Sequence, residues 1–329
     1  MKILIIGRGI TGSTLYYLFR EKGHQVYVIE SGFRKFYPTL IHSLLLRGKD
    51  IDLALDSLDF YRSHNVPLFS YPSYTIGKIP SEVFDDWLTR GFEVRELYVD
   101  WLNTSAIEGK KTDRLVGVKN FVDSVPYSYG NAYVDAKGRI FINKEKDVSG
   151  KFDIIILSSG AWNSVSTSFK LPLKSYYCWA WSVLTPKREL DKVFIYDYEL
   201  GFYSRPVLGI GSFLSIIGDG DTIECSPFTP QAGDKRAVEA AGKRLGPLVP
   251  FYKGEGYCEG TPDMRPVYGQ LTDKIYYIGG LNGYGAEVGP GLARLLFRFI
   301  IEGEEDKDYS ASRFNGVTEF KISKEPHEF

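Results

Sequence analysis

The chain has 329 residues, 43% of them hydrophobic, and its 40 basic and 41 acidic side chains leave a formal net charge of -1. Charges so evenly balanced argue against a nucleic-acid or anionic-membrane binder, and no apolar run approaches the length of a membrane span. Three widely spaced cysteines, Cys178, Cys225 and Cys258, with no C-x-x-C pair, argue against a disulfide framework, a zinc site or a thiol redox couple and fit a reducing cytoplasm. The first strand begins at residue 3, which leaves no room for a signal peptide ahead of it.

The apolar residues before Gly7 read as a strand that runs into Gly7-x-Gly9-x-x-Gly12. A helical stretch over 13–22 follows, then Gly23, a second strand over 25–29 and an acid at Glu30. Gly7 permits the tight strand-to-helix turn, Gly9 lets the backbone approach a pyrophosphate, and Gly12 lets the helix sit close on the sheet. The helix N-terminus, with Ile10 and Thr11 in its first turn, faces negative charge. Glu30, followed by Ser31, lies where a carboxylate accepts hydrogen bonds from ribose hydroxyls. Glycine triplet, flanking strands, helix and terminal acid together predict a dinucleotide site.

Further along, residues 50–64 predict a helix with Ile51, Leu53, Leu55, Leu58 and Tyr61 as core positions. Residues 68–78 are aromatic and β-like, and 81–90 read as a short helix with Ser81 as N-cap. Residues 115–141 are turn-rich and resist assignment. The apolar run over 152–157, leading into Gly160, Ala161 and Trp162, predicts a buried parallel strand ending in a second close backbone approach to the nucleotide. Short β-rich segments over 176–184, 192–198, 201–203, 213–217 and 222–225 read as an antiparallel sheet. A helix over 231–245, a strand over 274–278, a glycine-rich turn from Gly279 to Gly285 and a helix over 290–302 complete the pattern. Residues 302–308 read as a solvated loop; the placement of the tail from Tyr309 stays open. The expected fold class is α/β. A Rossmann-like nucleotide-binding domain (1–67, 140–170 and 258–329) is interleaved with an antiparallel β-sheet-rich substrate domain (68–139 and 171–257).

Four separated stretches carry a family resemblance: Gly7 to Gly12 with Glu30, Ile154 to Trp162, Gly260 to Pro266, and Tyr276 to Gly285. In order and spacing the chain resembles the FAD-dependent D-amino acid oxidase family, which includes glycine and sarcosine oxidases. The resemblance implies noncovalent FAD. It implies that Gly280, Asn282, Gly283, Tyr284 and Gly285 form the loop near the flavin pyrimidine edge, where amide donors stabilise reduced flavin. Arg265 matches an arginine whose planar fork grips a substrate carboxylate; the alternative is a structural salt bridge. Tyr203 is similar to a tyrosine that binds the same carboxylate, or is a core or rim tyrosine. Gly283 falls where a backbone carbonyl holds the substrate amine. Arg205 is either a second anion contact or an exposed strand residue. Asn282 reads as a turn residue with positive φ, and His42 as a flavin neighbour or an ordinary histidine. The segment 122–140 is shorter than the family's, and Cys258 lacks the motif by which some sarcosine-oxidase relatives tether flavin.

The implied reaction is oxidation of the C–N bond of an amino acid or small amine by hydride transfer from Cα to flavin N5, giving an imine that hydrolyses to an oxo acid. Oxygen, a quinone or a redox partner protein would take the electrons, and the chain would be cytoplasmic, as a homo-oligomer or a subunit of a complex. Two other readings stand beside it: a noncatalytic or electron-transfer FAD subunit, and an NAD(P)-dependent dehydrogenase, which leaves Gly260 to Pro266 and Gly279 to Gly285 unexplained. A flavin disulfide reductase would need a cysteine pair.

Overall fold

The computed structural model describes residues 1–32, 40–42, 48–144, 147–207, 213–317 and 319–322. Among the described residues its first sheet has six strands in the order Val267–Gln270, Ile275–Gly279, Ile154–Leu157, Lys2–Ile6, Gln25–Glu30 and Ser128–Tyr129. All neighbours are parallel except the Val267–Gln270 and Ile275–Gly279 pair. Ile3, Leu4, Ile5, Ile155, Ile156 and Leu157 are buried, which is why these strands read as unbroken apolar runs rather than alternating ones. One face packs under the helices Ile10–Glu21 and Gly285–Glu302 through Ile3, Ile5, Phe19, Leu292 and Leu296. The other meets Val134, Ile140, Leu171 and Phe314.

The second sheet has ten strands among the described residues. Its backbone is the antiparallel pairing of Lys174–Leu184 with Val249–Gly260, continued through Leu214–Gly218, Phe202–Pro206, Phe194–Asp197, Leu68–Ile76 and Thr104–Val116. Helix Arg236–Leu245 covers part of it through Ala237, Val238, Ala241 and Leu245. The interleaved α/β architecture is therefore the one expected, but two boundaries move. Helix Val118–Asp123 packs against helix Ile10–Glu21 through Phe121, and strand Ser128–Tyr129 joins the first sheet. The switch out of the substrate domain thus precedes residue 139. Strand Val249–Gly260 also runs past residue 257 within the second sheet.

Helix ends differ from the sequence pattern for local reasons. The last helix begins at Gly285, not residue 290, with Pro290 inside it. Proline has no N–H for the carbonyl four residues back, and here the Tyr61 hydroxyl donates to that Ala286 carbonyl at 2.8 Å. A long-range hydrogen bond thus satisfies a buried acceptor whose loss would cost about 1–3 kcal/mol. Ser57 Oγ accepts from the Gly291 amide at 3.0 Å, and a Cβ at Gly291 would fall 2.4 Å from the Leu53 carbonyl oxygen. That glycine therefore sets the close crossing of helices Lys49–Ser63 and Gly285–Glu302. Leu55, expected in the core, is exposed, whereas Ile51, Leu53, Leu58 and Tyr61 are buried. Helix Ser81–Thr89 has Pro80, not Ser81, at its N-cap, and the helix expected over 231–245 starts at Arg236. The tail packs back: Tyr309 is buried and bonds Asp50.

Candidate active site

Between the two sheets lies a cavity of about 1100 Å³. At one end, Gly7 turns with φ +105°, and a Cβ there would fall 2.4 Å from the Ser158 carbonyl oxygen. A Cβ at Gly12 would fall 2.1 Å from the Gly7 carbonyl oxygen, so only glycine lets the helix start this close to the strand ends. Gly9 is the N-cap, carries no capping side chain and has open space where a Cβ would stand. No acid lies in the helix's first turn. Uncapped first-turn amides facing a cavity form an anion site.

Glu30 ends the neighbouring strand. Its carboxylate accepts from the Arg8 amide at 3.0 Å and the Gly32 amide at 2.9 Å. Two backbone donors fix its orientation and leave lone pairs for further donors. Gly7, Gly9, Ile10, Thr11, Glu30 and Ser31 line the cavity, while Gly12 supports them from behind. The buried Arg8 is held back by the Val125 carbonyl at 3.0 Å and stacks 3.8 Å from the Tyr127 ring centre. This clamp joins the glycine turn to the segment that the sequence left unassigned.

In the middle of the cavity, Gly160, Ala161 and Trp162 line the wall at the start of the short helix Gly160–Val165. The buried Asn163 beside them accepts from the Ser159 amide at 2.8 Å and donates to Glu259 and to the Ile278 carbonyl, each at 3.0 Å. Glu259 also accepts from the Gly280 amide at 3.1 Å. Burial pushes the Glu259 carboxyl well above the usual range, against the pull of its Gly280 and Asn163 donors. Asn163 and Glu259 together knit three chain crossings, and only their burial reveals them. Gly280, expected at the cofactor, is instead packed behind the loop, where a Cβ would fall 2.4 Å from Thr261. Asn282, Gly283, Tyr284 and Gly285 do line the cavity. Asn282 has φ +45°, as a turn residue should, and its side chain donates to the Met264 carbonyl.

The sheet end differs most from expectation. Arg265 does not line the cavity. Its guanidinium is engaged by Asp50 (2.8 Å) and by the Tyr309 hydroxyl (3.2 Å), so the geometry selects the structural salt bridge over the carboxylate grip. Arg205 occupies the wall instead, only 4% exposed, on the same sheet face as the cavity-lining Tyr196 and Tyr203, which pair directly across adjacent strands. Tyr203 lies flat over Gly218, where a Cβ would fall 2.4 Å from its hydroxyl. Among the described residues no carboxylate pairs with Arg205. Burial lowers the affinity of its guanidinium for its proton, although arginine stays charged at any working pH. A buried, uncompensated cation is costly, and an anion in the cavity would offset that cost.

Cys178 and Cys258 also line the cavity, with sulfurs 3.3 Å apart. The register of two antiparallel strands brings together free thiols 80 residues apart in sequence, a proximity that C-x-x-C spacing does not reveal. The side chain of His42 lies outside the described residues, as does His327. Among the described residues, no group of three or more His, Cys, Asp or Glu is placed to hold a metal ion, and no helix is long and apolar enough to cross a membrane.

No protein-family model matches the sequence, and no curated protein matches it. Solved structures do. L-Proline dehydrogenase from P. horikoshii has a TM-score of 0.75 at 16% identity, covering 95% of this chain and 97% of that one. Iminodiacetate oxidase from a Chelativorans species has a TM-score of 0.72 at 16% identity, covering 94% and 98%. Glycine oxidase from Geobacillus kaustophilus has a TM-score of 0.69 at 14% identity, covering 93% and 95%. The chain has the fold these oxidases and this dehydrogenase share, and the family resemblance read from the sequence holds at the level of the fold.

Proposed function

We propose that the chain is an FAD-dependent oxidoreductase that oxidises an amino acid or a small amine bearing a carboxylate. The cavity's chemistry suits FAD along its length: uncapped helix amides for a pyrophosphate, the fixed Glu30 carboxylate for a ribose, and the Leu281 to Gly285 backbone at the far end. When bound, FAD would accept a hydride from the carbon that carries the nitrogen. The chain's own task is to bind, orient and desolvate the substrate. The observation that carries this reading is Arg205, a buried cation on the cavity wall with no acid paired to it among the described residues. Its planar fork suits a carboxylate, and the Tyr203 hydroxyl beside it is a further donor. Gly283, on the opposite loop, remains the candidate to hold the amine. A sheet wall built from Cys178, Ala180, Ser182, Gly254 and Gly256 leaves room for flat groups.

The retained cavity and Arg205 favour a working enzyme over a noncatalytic or electron-transfer subunit. Oxygen, a quinone or a redox partner protein takes the electrons. The test is an absorbance spectrum before and after anaerobic addition of D-amino acids, glycine, sarcosine, iminodiacetate and L-proline. Flavin bands that bleach with one of them are expected. Bands that survive every carboxylate-bearing amine favour the carrier subunit, and a protein that binds NAD(P) but no FAD overturns the proposal.

A further inference from the structure

Cys178 lies on strand Lys174–Leu184 opposite Gly256, and Cys258 lies opposite Tyr176, so the two thiols occupy diagonal positions on one sheet face. Diagonal cross-strand neighbours are normally too far apart for short side chains to meet, yet these sulfurs stand 3.3 Å apart. A disulfide requires about 2.05 Å, a closure of roughly 1.2 Å that side-chain rotation and a small strand shift supply. The surroundings permit that shift. A Cβ at Gly256, the residue facing Cys178, would meet nothing within 4 Å, and Gly254 and Gly256 precede Cys258 on its own face. Glycine in a strand lowers the resistance to local adjustment. Both sulfurs carry thiols and both residues line the cavity, which gives a small oxidant its route.

We propose that Cys178 and Cys258 form a peroxide-responsive dithiol, with Cys258 as the thiol oxidised first and Cys178 as the resolving thiol. The adjacent Cys178 thiol holds the Cys258 thiol below its usual range, against the opposing effect of burial, and Tyr176 and the Gly283 backbone act in the same direction. Thiolate character directs which sulfur reacts first. The Cys258 thiolate attacks the O–O bond of hydrogen peroxide and becomes a sulfenic acid as hydroxide leaves and takes up a proton to form water. The Cys178 thiol then attacks that sulfur and expels a second water. Two thiols lose two electrons and two protons, and the peroxide leaves as two waters. The product ties the two longest strands of the cavity wall beside the Leu281 to Gly285 loop. The inference stands apart from the flavin reading, because it concerns only thiols and their distance.

The test uses the purified full-length protein as isolated, reduced and then exposed to hydrogen peroxide. Loss of two titratable thiols, loss of two hydrogens in the intact mass and a peptide linking Cys178 to Cys258, all reversed by dithiothreitol, are expected. Before oxidation, phenylarsine oxide should protect both thiols in the unmutated protein at one equivalent, a readout that needs no variant to fold. Cys178→Ser should stop at a dimedone-reactive sulfenic acid on Cys258, and Cys225→Ser should behave as the parent. Over-oxidation of Cys258 while Cys178 stays a thiol, a bridge through Cys225, or failure of the arsenical to protect the pair would each overturn the proposal.

Discussion

At one end of the cavity the wall comes from a single turn: Gly7, Gly9 and Gly12 lie within one strand-to-helix connection, with Glu30 at the next strand end. At the other end Tyr196, Arg205, Cys178 and Cys258 come from four strands of the second sheet, and the cysteines are 80 residues apart. The first end works through backbone amides and the absence of side chains, the second through side chains that strand register brings together. One is encoded locally and tolerates almost no change of residue. The other is encoded by packing, so its residues come together only through strand register.

The sharpest way to break this comparison is at the glycine turn. Gly12→Ala places a Cβ 2.1 Å from a backbone oxygen that cannot rotate away, so the helix must lift off the strand. A loss of about 3 kcal/mol in stability, together with loss of retained flavin, is expected in thermal melts and in the absorbance of the purified protein. Gly9→Ala meets open space; its melting temperature should hold while its flavin affinity falls, because the methyl stands where a phosphate approaches. Equal stability loss in both variants would mean that the turn is only structural.

At the sheet end, Arg205→Gln should leave the flavin spectrum intact and lower kcat/KM for the best carboxylate-bearing substrate by about 100-fold or more. Stability should hold or rise, since the variant removes a buried charge with no acid paired to it among the described residues. Arg265→Ala is the control. It breaks the bidentate pair with Asp50 and should lower the melting temperature with no change in KM. If the two arginines exchange these phenotypes, the grip belongs to Arg265 after all.

How much was legible follows the same division. The glycine turn, Glu30's place at a strand end, the 154–157 strand and the Asn282 turn were readable because each local structure sits in contiguous residues with one backbone requirement. Arg265 misled because a motif neighbourhood was carried over without its packing: Asp50 and Tyr309, 215 and 44 residues away, claim its guanidinium. Arg205 was noticed only as an ambiguous strand residue, since strand alternation alone does not say which face meets a cavity. The cysteine pair was invisible because spacing rules look for neighbours in sequence, whereas a sheet makes neighbours by register. Asn163 and Glu259 gave no signal at all until both proved buried and bonded to each other.

A purely pH-dependent effect lies just behind the sheet end. Asp113 is fully buried, accepts from the Thr112 hydroxyl at 2.7 Å and lies 3.4 Å from the hydroxyl of the cavity-lining Tyr196. Burial raises its carboxyl from 3.8 to about 6, with Ser73, Thr112, Arg114 and Tyr196 opposing the rise. The native state therefore holds this proton more tightly than the unfolded chain does. Between these two values the folded protein carries more protons, so this group's contribution favours folding most below the unfolded value and declines as pH rises through the folded one. The full swing is about 3 kcal/mol at most. Asp113→Asn cannot lose a proton, so its melting temperature relative to the parent should rise as pH increases from about 4 to about 7. Parallel profiles for the two proteins would mean that Asp113 stays ionised in the fold, stabilised by its hydroxyl partners. The wall behind Tyr196 would then be a charged network rather than a neutral one, and Arg205 would sit nearer to a compensating charge than its contacts imply.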